Sequence, residues 1–181
     1  HADSLFWMAR YLERSENNAR RIQAAFHYAL SREDDGREEW KTIISESGSE
    51  VVFRDKYSQL TLTDAVNFLL RDRDNMNSII TLIYKARQNG RSVRANLTQE
   101  VWLSLNESWI ACETALKRPV KIRDLPGVLE GIIKGSSLFR GALYGTMLHN
   151  DIFNFLRLGT YIDDISAKSV SYTHLTLPTS G

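Results

Sequence analysis

One cysteine, three prolines and no long apolar run mark out what this 181-residue sequence lacks. With Cys112 as its single thiol, no intrachain disulfide can form, which fits a reducing compartment and a cytoplasmic location. No segment approaches the ~18 consecutive apolar residues of a spanning helix, so no membrane anchor is expected within it. Charge of one sign is also missing: 23 basic residues face 22 acidic ones, for a formal net charge of +1. That balance argues against nucleic-acid binding, which needs a concentrated basic face. The opening "HADSLFWMARYLERSE" has neither the basic nor the apolar region of a signal peptide. It lacks an initiator Met too, so the chain is expected to begin inside a longer protein.

Enzyme signatures are equally sparse. There is no Gly-rich phosphate loop, no G-x-S-x-G and no H-E-x-x-H. His27 and His149 have no helical Glu or His at ligand spacing, so neither a metal nor a cofactor is expected. Cys112 falls on an apolar stripe and reads as a buried, inert thiol. Trp7, Trp40, Trp102 and Trp109 read as core or interface anchors.

What is present is helical periodicity. Leu5, Met8, Leu12, Ala19, Ile22 and Phe26 form one stripe over residues 4–31, with Asp3 or Ser4 placed to cap it. Two short helices are predicted over 37–58, split near "SGS". Thr63 is the expected cap of "DAVNFLL", and Asn75 that of a helix reaching about 97. Further helices are predicted over 99–116, 127–148 and about 151–167. No period-two run competes, so the fold class is all-α, a bundle of six to eight helices in one domain over 1–169. The tail "VSYTHLTLPT" resembles a translated transposase-adapter sequence from DNA library preparation. Residues 170–181 are therefore expected to be non-native, and the natural chain to continue past about 169, as in a fragment from assembled environmental DNA.

The stretch "RYLERSENNARR" holds the main chemical candidates. A helix turns about 100° per residue, so Glu13 and Arg14 point to opposite shoulders of the stripe. Arg10, Glu13, Asn17 and Arg20 make one line; Arg14, Asn18 and Arg21 make another. Glu16 and Arg20 have the favourable i,i+4 order, worth ~0.2–0.5 kcal/mol on a surface. Two readings follow: a solvated, salt-bridged face, or shoulders covered by neighbouring helices, each charge then needing a partner. Aligning "FWMARYLERSEN" with "LRLGTYIDDISA" at an offset of 150 matches Tyr11 with Tyr161 and Glu13 with Asp163, which suggests a pseudo-symmetric bundle. Glycines recur every four residues at Gly127, Gly131 and Gly135, and again at Gly141 and Gly145. Each costs a helix ~1 kcal/mol, so close backbone approach is expected, chiefly by another helix. Arg140 and Tyr144, four apart, share a face suited to an anion or carboxylate.

"SLFWMARYLERSENNARR", "VNFLLRDRDNMNSI", "ARQNGRSVRANLTQEVWLSLN", "SLFRGALYGTML" and "FLRLGTYI" together resemble the bacterial Alpha-E domain family, in order, across residues 2–162. The resemblance implies an all-helical domain whose Glu-Arg motif falls on Glu13 and Arg14, with Arg10, Asn17 and Arg20 around it. Genes of that family keep company with ATP-grasp-type ligases and transglutaminase-like proteins, which implies a role in forming peptide or amide bonds. The second Glu-Arg copy usual after "RLG" is replaced here by Asp163 and Asp164. Three readings follow. The first is a non-catalytic accessory domain that binds the ligase or its peptide substrate through Arg10, Glu13, Arg14, Asn17, Arg20, Arg140 and Tyr144. The second is an enzyme of the same pathway, with Glu13 as general acid or base and Arg14 as oxyanion partner. The third is a purely structural or interaction bundle.

Overall fold

The periodic segments form seven α-helices in the computed structural model, which describes residues 2–31, 36–147, 153–154, 156–162 and 165. In chain order they are α1 (Ala2–Leu30), α2 (Arg37–Glu46), α3 (Glu50–Lys56), α4 (Leu62–Arg71), α5 (Ile79–Ser92), α6 (Gln99–Ala115) and α7 (Leu125–Thr146). Helical backbone returns at 153–154 and 156–162, and no strand occurs among the described residues. The fold is thus an all-α bundle. Residues 170–181, with Asp163, Asp164 and His149, lie outside the described residues.

Three expected caps shift. Asp3 and Ser4 already lie inside α1. The cap of α4 is Thr61, whose Oγ1 accepts from the Asp64 N–H at 3.1 Å, so the helix starts before Thr63. Ser78 caps α5 through the Thr81 N–H, while Asn75 is fully buried and serves the loop before it. Its Oδ1 accepts from Ser49 Oγ at 2.6 Å and from the Asn77 N–H at 3.0 Å. Its Nδ2 donates to Phe68 O at 3.2 Å. A buried amide whose oxygen and nitrogen are both paired in this way fixes the loop, because leaving either unpaired would cost ~1–3 kcal/mol.

Four helices pack in a ring, α1 on α5, α5 on α6, α6 on α7 and α7 back on α1. The small helices α2, α3 and α4 close one end. Their core is Trp40, Phe53 and Phe68 against Ile22 and Phe26 of α1, with Phe53 and Phe68 edge to face at 5.1 Å. Leu5, Met8, Leu12, Leu105 and Phe139 build a second apolar cluster at the other end, joined by Phe153 and Leu156. Along α1 and α6 the second cluster comes first; along α5 and α7 the order reverses. Neighbours in the ring are therefore antiparallel.

Between the clusters the apolar pattern is interrupted on two facing helices. Ser15 and Glu16 are buried on α1, and Ser136 is buried on α7. This polar layer is where the candidate residues gather. Close packing beyond it is set by small residues. A Cβ on Gly90 of α5 would lie 2.5 Å from Leu105 Cδ2 and 2.9 Å from Met8 Sδ. Gly159 brings the C-terminal segment against α1, with a built Cβ 2.6 Å from Phe6 O. The two segments aligned in the sequence are thus in contact. Gly90→Val should overpack the second cluster and lower stability by about 1–3 kcal/mol in a denaturant titration.

Candidate functional site

Glu16, on the stripe gap between Leu12 and Ala19, is the best-buried carboxylate among the described residues, with 3% of its surface exposed. Arg140 of α7 reaches it with both terminal nitrogens. Nη1 donates to Glu16 Oε2, and Nη2 donates to Glu16 Oε1 at 3.2 Å. Arg20 adds two donors to Glu16 Oε1, at 3.0 and 2.7 Å. Glu13 joins from the preceding turn, accepting from Arg140 Nη1 at 3.3 Å, and Ser137 Oγ accepts from Nη2 at 3.3 Å. Two carboxylates and two guanidiniums so form one charge-balanced cluster across the α1–α7 seam.

Burial pushes the Glu16 carboxyl up, but the hydrogen bonds and charges of Arg140 and Arg20 outweigh it and hold it below the ordinary carboxylate value. The same contact raises Arg140 above the usual guanidinium value, Glu16 being the main cause and Glu13 adding to it.

Arg14 faces the other shoulder. Its Nη2 donates to Asn77 Oδ1 at 2.9 Å, and Asn18 Nδ2 donates to Asn77 O at 3.1 Å. Asn77 passes the contact on, donating from Nδ2 to Ser47 O at 2.6 Å. Both shoulders are therefore covered, and the solvated-face reading gives way to the paired one. Arg21, on the second line, makes an ion pair with Glu46 of α2.

Of the remaining candidates, Arg10 lies over Trp7 and Phe6, 5.7 and 6.0 Å from their ring centroids. Asn17 is half-buried on α1. Tyr144 stands apart from the cluster, exposed and edge-on to Phe153 at 5.5 Å. Trp40 and Trp109 are core residues as expected, whereas Trp7 is an exposed ring stacked on Tyr11.

Sequence reasoning missed Glu16 as the keystone, placing its bond to Arg20 on the surface. The available signal was the stripe itself, whose step from Leu12 to Ala19 leaves Ser15 and Glu16 facing inward. Asn77 carried no such signal, since a loop asparagine has no periodicity to read.

The glycine ridge departs from the expected helix contact. Only Gly135 of the five meets a neighbouring helix, a Cβ there lying 2.8 Å from Ser108 Oγ of α6. Cβ atoms on Gly127, Gly131, Gly141 and Gly145 would meet nothing within 4 Å. Gly127 and Gly131 instead line a cleft of about 570 Å3 between α6 and α7, floored by Leu12, Ile83, Cys112 and Ile132. Burial pushes the Cys112 thiol up to about 12, so it stays protonated and unreactive at neutral pH.

Three expectations follow. Glu16→Gln removes the charge that Arg140 and Arg20 share, leaving the half-buried Arg140 with Glu13 and Ser137, and should cost about 3 kcal/mol in denaturant unfolding. A depressed folded-state pKa contributes stability above the unfolded value, about 4.3, that is lost as pH falls through the folded value. The wild type should therefore lose this increment below about pH 4.3, and Glu16→Gln should flatten that part of the stability–pH curve. Gly131→Ala, entering open space in a helix, should raise stability by about 1 kcal/mol.

No curated protein and no solved structure matches the chain. The family model for Alpha-E, described as a predicted alpha-helical domain with a conserved ER motif, matches residues 1–169. Glu13-Arg14 is the one Glu-Arg dipeptide in the sequence, and the chain belongs to the Alpha-E family.

Proposed function

We propose that this domain is a non-catalytic helical partner in an ATP-grasp-type peptide or amide ligase system, binding the ligase or its peptide substrate. The observation that carries the non-catalytic part is the divergence of the motif. Glu13 turns to Arg140 on α7 and Arg14 to Asn77 before α5. An acid–base residue and its oxyanion partner must converge on one reacting atom. Glu16, the carboxylate nearest Glu13 in the cluster, is held below the ordinary carboxylate value, which makes it a weak base.

The ligase, or a transglutaminase-like protein, is named as partner by the company that genes of this family keep. The face offered is the outer side of the charge cluster. Arg20, whose side chain is 54% exposed, presents a guanidinium toward a carboxylate. Farther along α7 and apart from the cluster, Tyr144 adds an exposed ring with a polar tip. Arg10 and Asn17 flank this side of α1. Arg140 and Glu13 lie behind it, and Arg14 secures the opposite shoulder.

A second reading, an interaction bundle whose motif serves the fold alone, is favoured by the same intramolecular pairs. Calorimetry with the neighbouring ligase separates the two. Binding at micromolar concentration, weakened at least about tenfold by Arg20→Gln, which keeps a donor for Glu16, together with Tyr144→Ala, is the expected result, with melting curves showing that the variant is folded. No binding, together with ligase turnover unchanged by this domain, would overturn the proposal.

A further inference from the structure

The connection from α6 to α7, "LKRPVKIRD", carries Lys117, Arg118, Lys121 and Arg123 within seven positions. In a chain of net charge +1 this is a local excess, and all four side chains are exposed. Arg123 lies 3.6 Å from Asp124, the one acid lining either of the clefts beside the connection.

The connection is braced. Asn67 of α4 grips both backbone polar groups of Val120, Nδ2 donating to Val120 O at 3.2 Å and Oδ1 accepting from the Val120 N–H at 2.7 Å. Arg71 Nε and Nη2 donate to the carbonyls of Leu116 and Lys117 at 3.0 and 3.2 Å. The Leu116 and Val120 side chains sink into the core. Apolar and amide contacts thus hold the backbone while the cations face outward, so little ordering cost remains for a bound chain.

Two clefts adjoin the cations. One, of about 400 Å3, is lined by Thr114, Lys117, Arg118 and Lys121. The other is the α6–α7 cleft with Gly127 and Gly131 on its wall and Arg123 at its edge. They share Ala115, Asp124 and Val128, so one continuous surface runs from the basic connection onto the bare backbone of α7.

We infer that this surface docks an acidic peptide segment of a partner protein, with its carboxylates on Lys117, Arg118 and Lys121 and an adjoining aliphatic residue in the cleft against Gly127 and Gly131. Charge complementarity selects the acidic residues and fixes the register. The Leu12, Ile83 and Ile132 floor suits an aliphatic side chain rather than a sugar–phosphate backbone, and four cations on one connection are a narrow footprint for a nucleic acid. The site is separate from the charge cluster on α1 and does not rest on the ligase reading.

Fluorescence anisotropy with a labelled Glu-Glu-Glu-Leu-Leu peptide and the full chain tests it. The triple variant Lys117→Glu, Arg118→Glu, Lys121→Glu should weaken binding at least about tenfold. Arg37→Glu, Lys41→Glu, Arg54→Glu makes the same charge change on α2 and α3, and should leave affinity within about twofold. Gly131→Leu fills the cleft from an exposed helical position, so the fold tolerates it. It should weaken the leucine-bearing peptide about fivefold or more and leave an all-glutamate peptide unchanged. Melting curves confirm that each variant is folded. No wild-type binding, equal loss in both charge variants, no effect of Gly131→Leu, or displacement by a single-stranded oligonucleotide at lower concentration than by the peptide itself would each overturn the inference.

Discussion

The buried contact between Glu16 and Arg140 is the constraint around which the rest of the bundle is arranged. An ionised carboxylate can be buried only where donors already wait for it; Arg140 and Arg20 supply them, and Glu13, accepting from Arg140, balances the second cation. The geometry is demanding. Sliding α7 along α1 by one turn, about 5.4 Å, would put a serine opposite Glu16 and carry Arg140 toward the second apolar cluster, or, the other way, put Leu143 opposite Glu16; either slide breaks the ion pair. Apolar packing alone tolerates such slips far better. The charge cluster therefore fixes the register of two helices that the leucines and phenylalanines merely hold together.

The Glu-Arg motif extends this locking to two partners at once. Its acidic member meets α7 and its basic member meets the loop before α5. Adjacent residues on a helix diverge by about 100°, so a two-residue motif suits a helix that must be gripped on both shoulders and is poorly suited to focusing two groups on one substrate atom. Asn77 and Asn75 continue the grip into the end formed by α2, α3 and α4, through Ser47 and Ser49. In this way one turn of α1 fixes the ring helices and, through two asparagines, the closing end.

Much of the fold was legible because period is a robust signal. The stripes of α1 and α6 and the break at "SGS" translate directly into elements. Caps were less legible: Thr61 and Thr63, or Asn75 and Ser78, are equally good acceptors on paper, and only the chain's exit direction chooses between them. The motif was found, together with the need for partners, but their identity was not, since Arg140 and Asn77 lie 124 and 63 or more positions away and no local pattern links them. The glycine ridge misled for a physical reason. Four-residue spacing marks a smooth helix face, and the spacing is the same whether a helix or an open cleft lies against it.

Those two separations have a consequence for how the molecule comes together. The Arg14–Asn77 contact closes a loop of 63 positions, whereas the Glu13–Arg140 contact closes one of 127. Doubling a loop adds about 0.6 kcal/mol of closure entropy, and on the ribosome the longer one cannot close until nearly twice as much chain has emerged. The basic half of the motif therefore has its partner while the acidic half is still waiting, hydrated, for α7. The α1–α7 seam thus shuts only after a segment 127 positions downstream of Glu13 has arrived, and until then that charged shoulder stays in water.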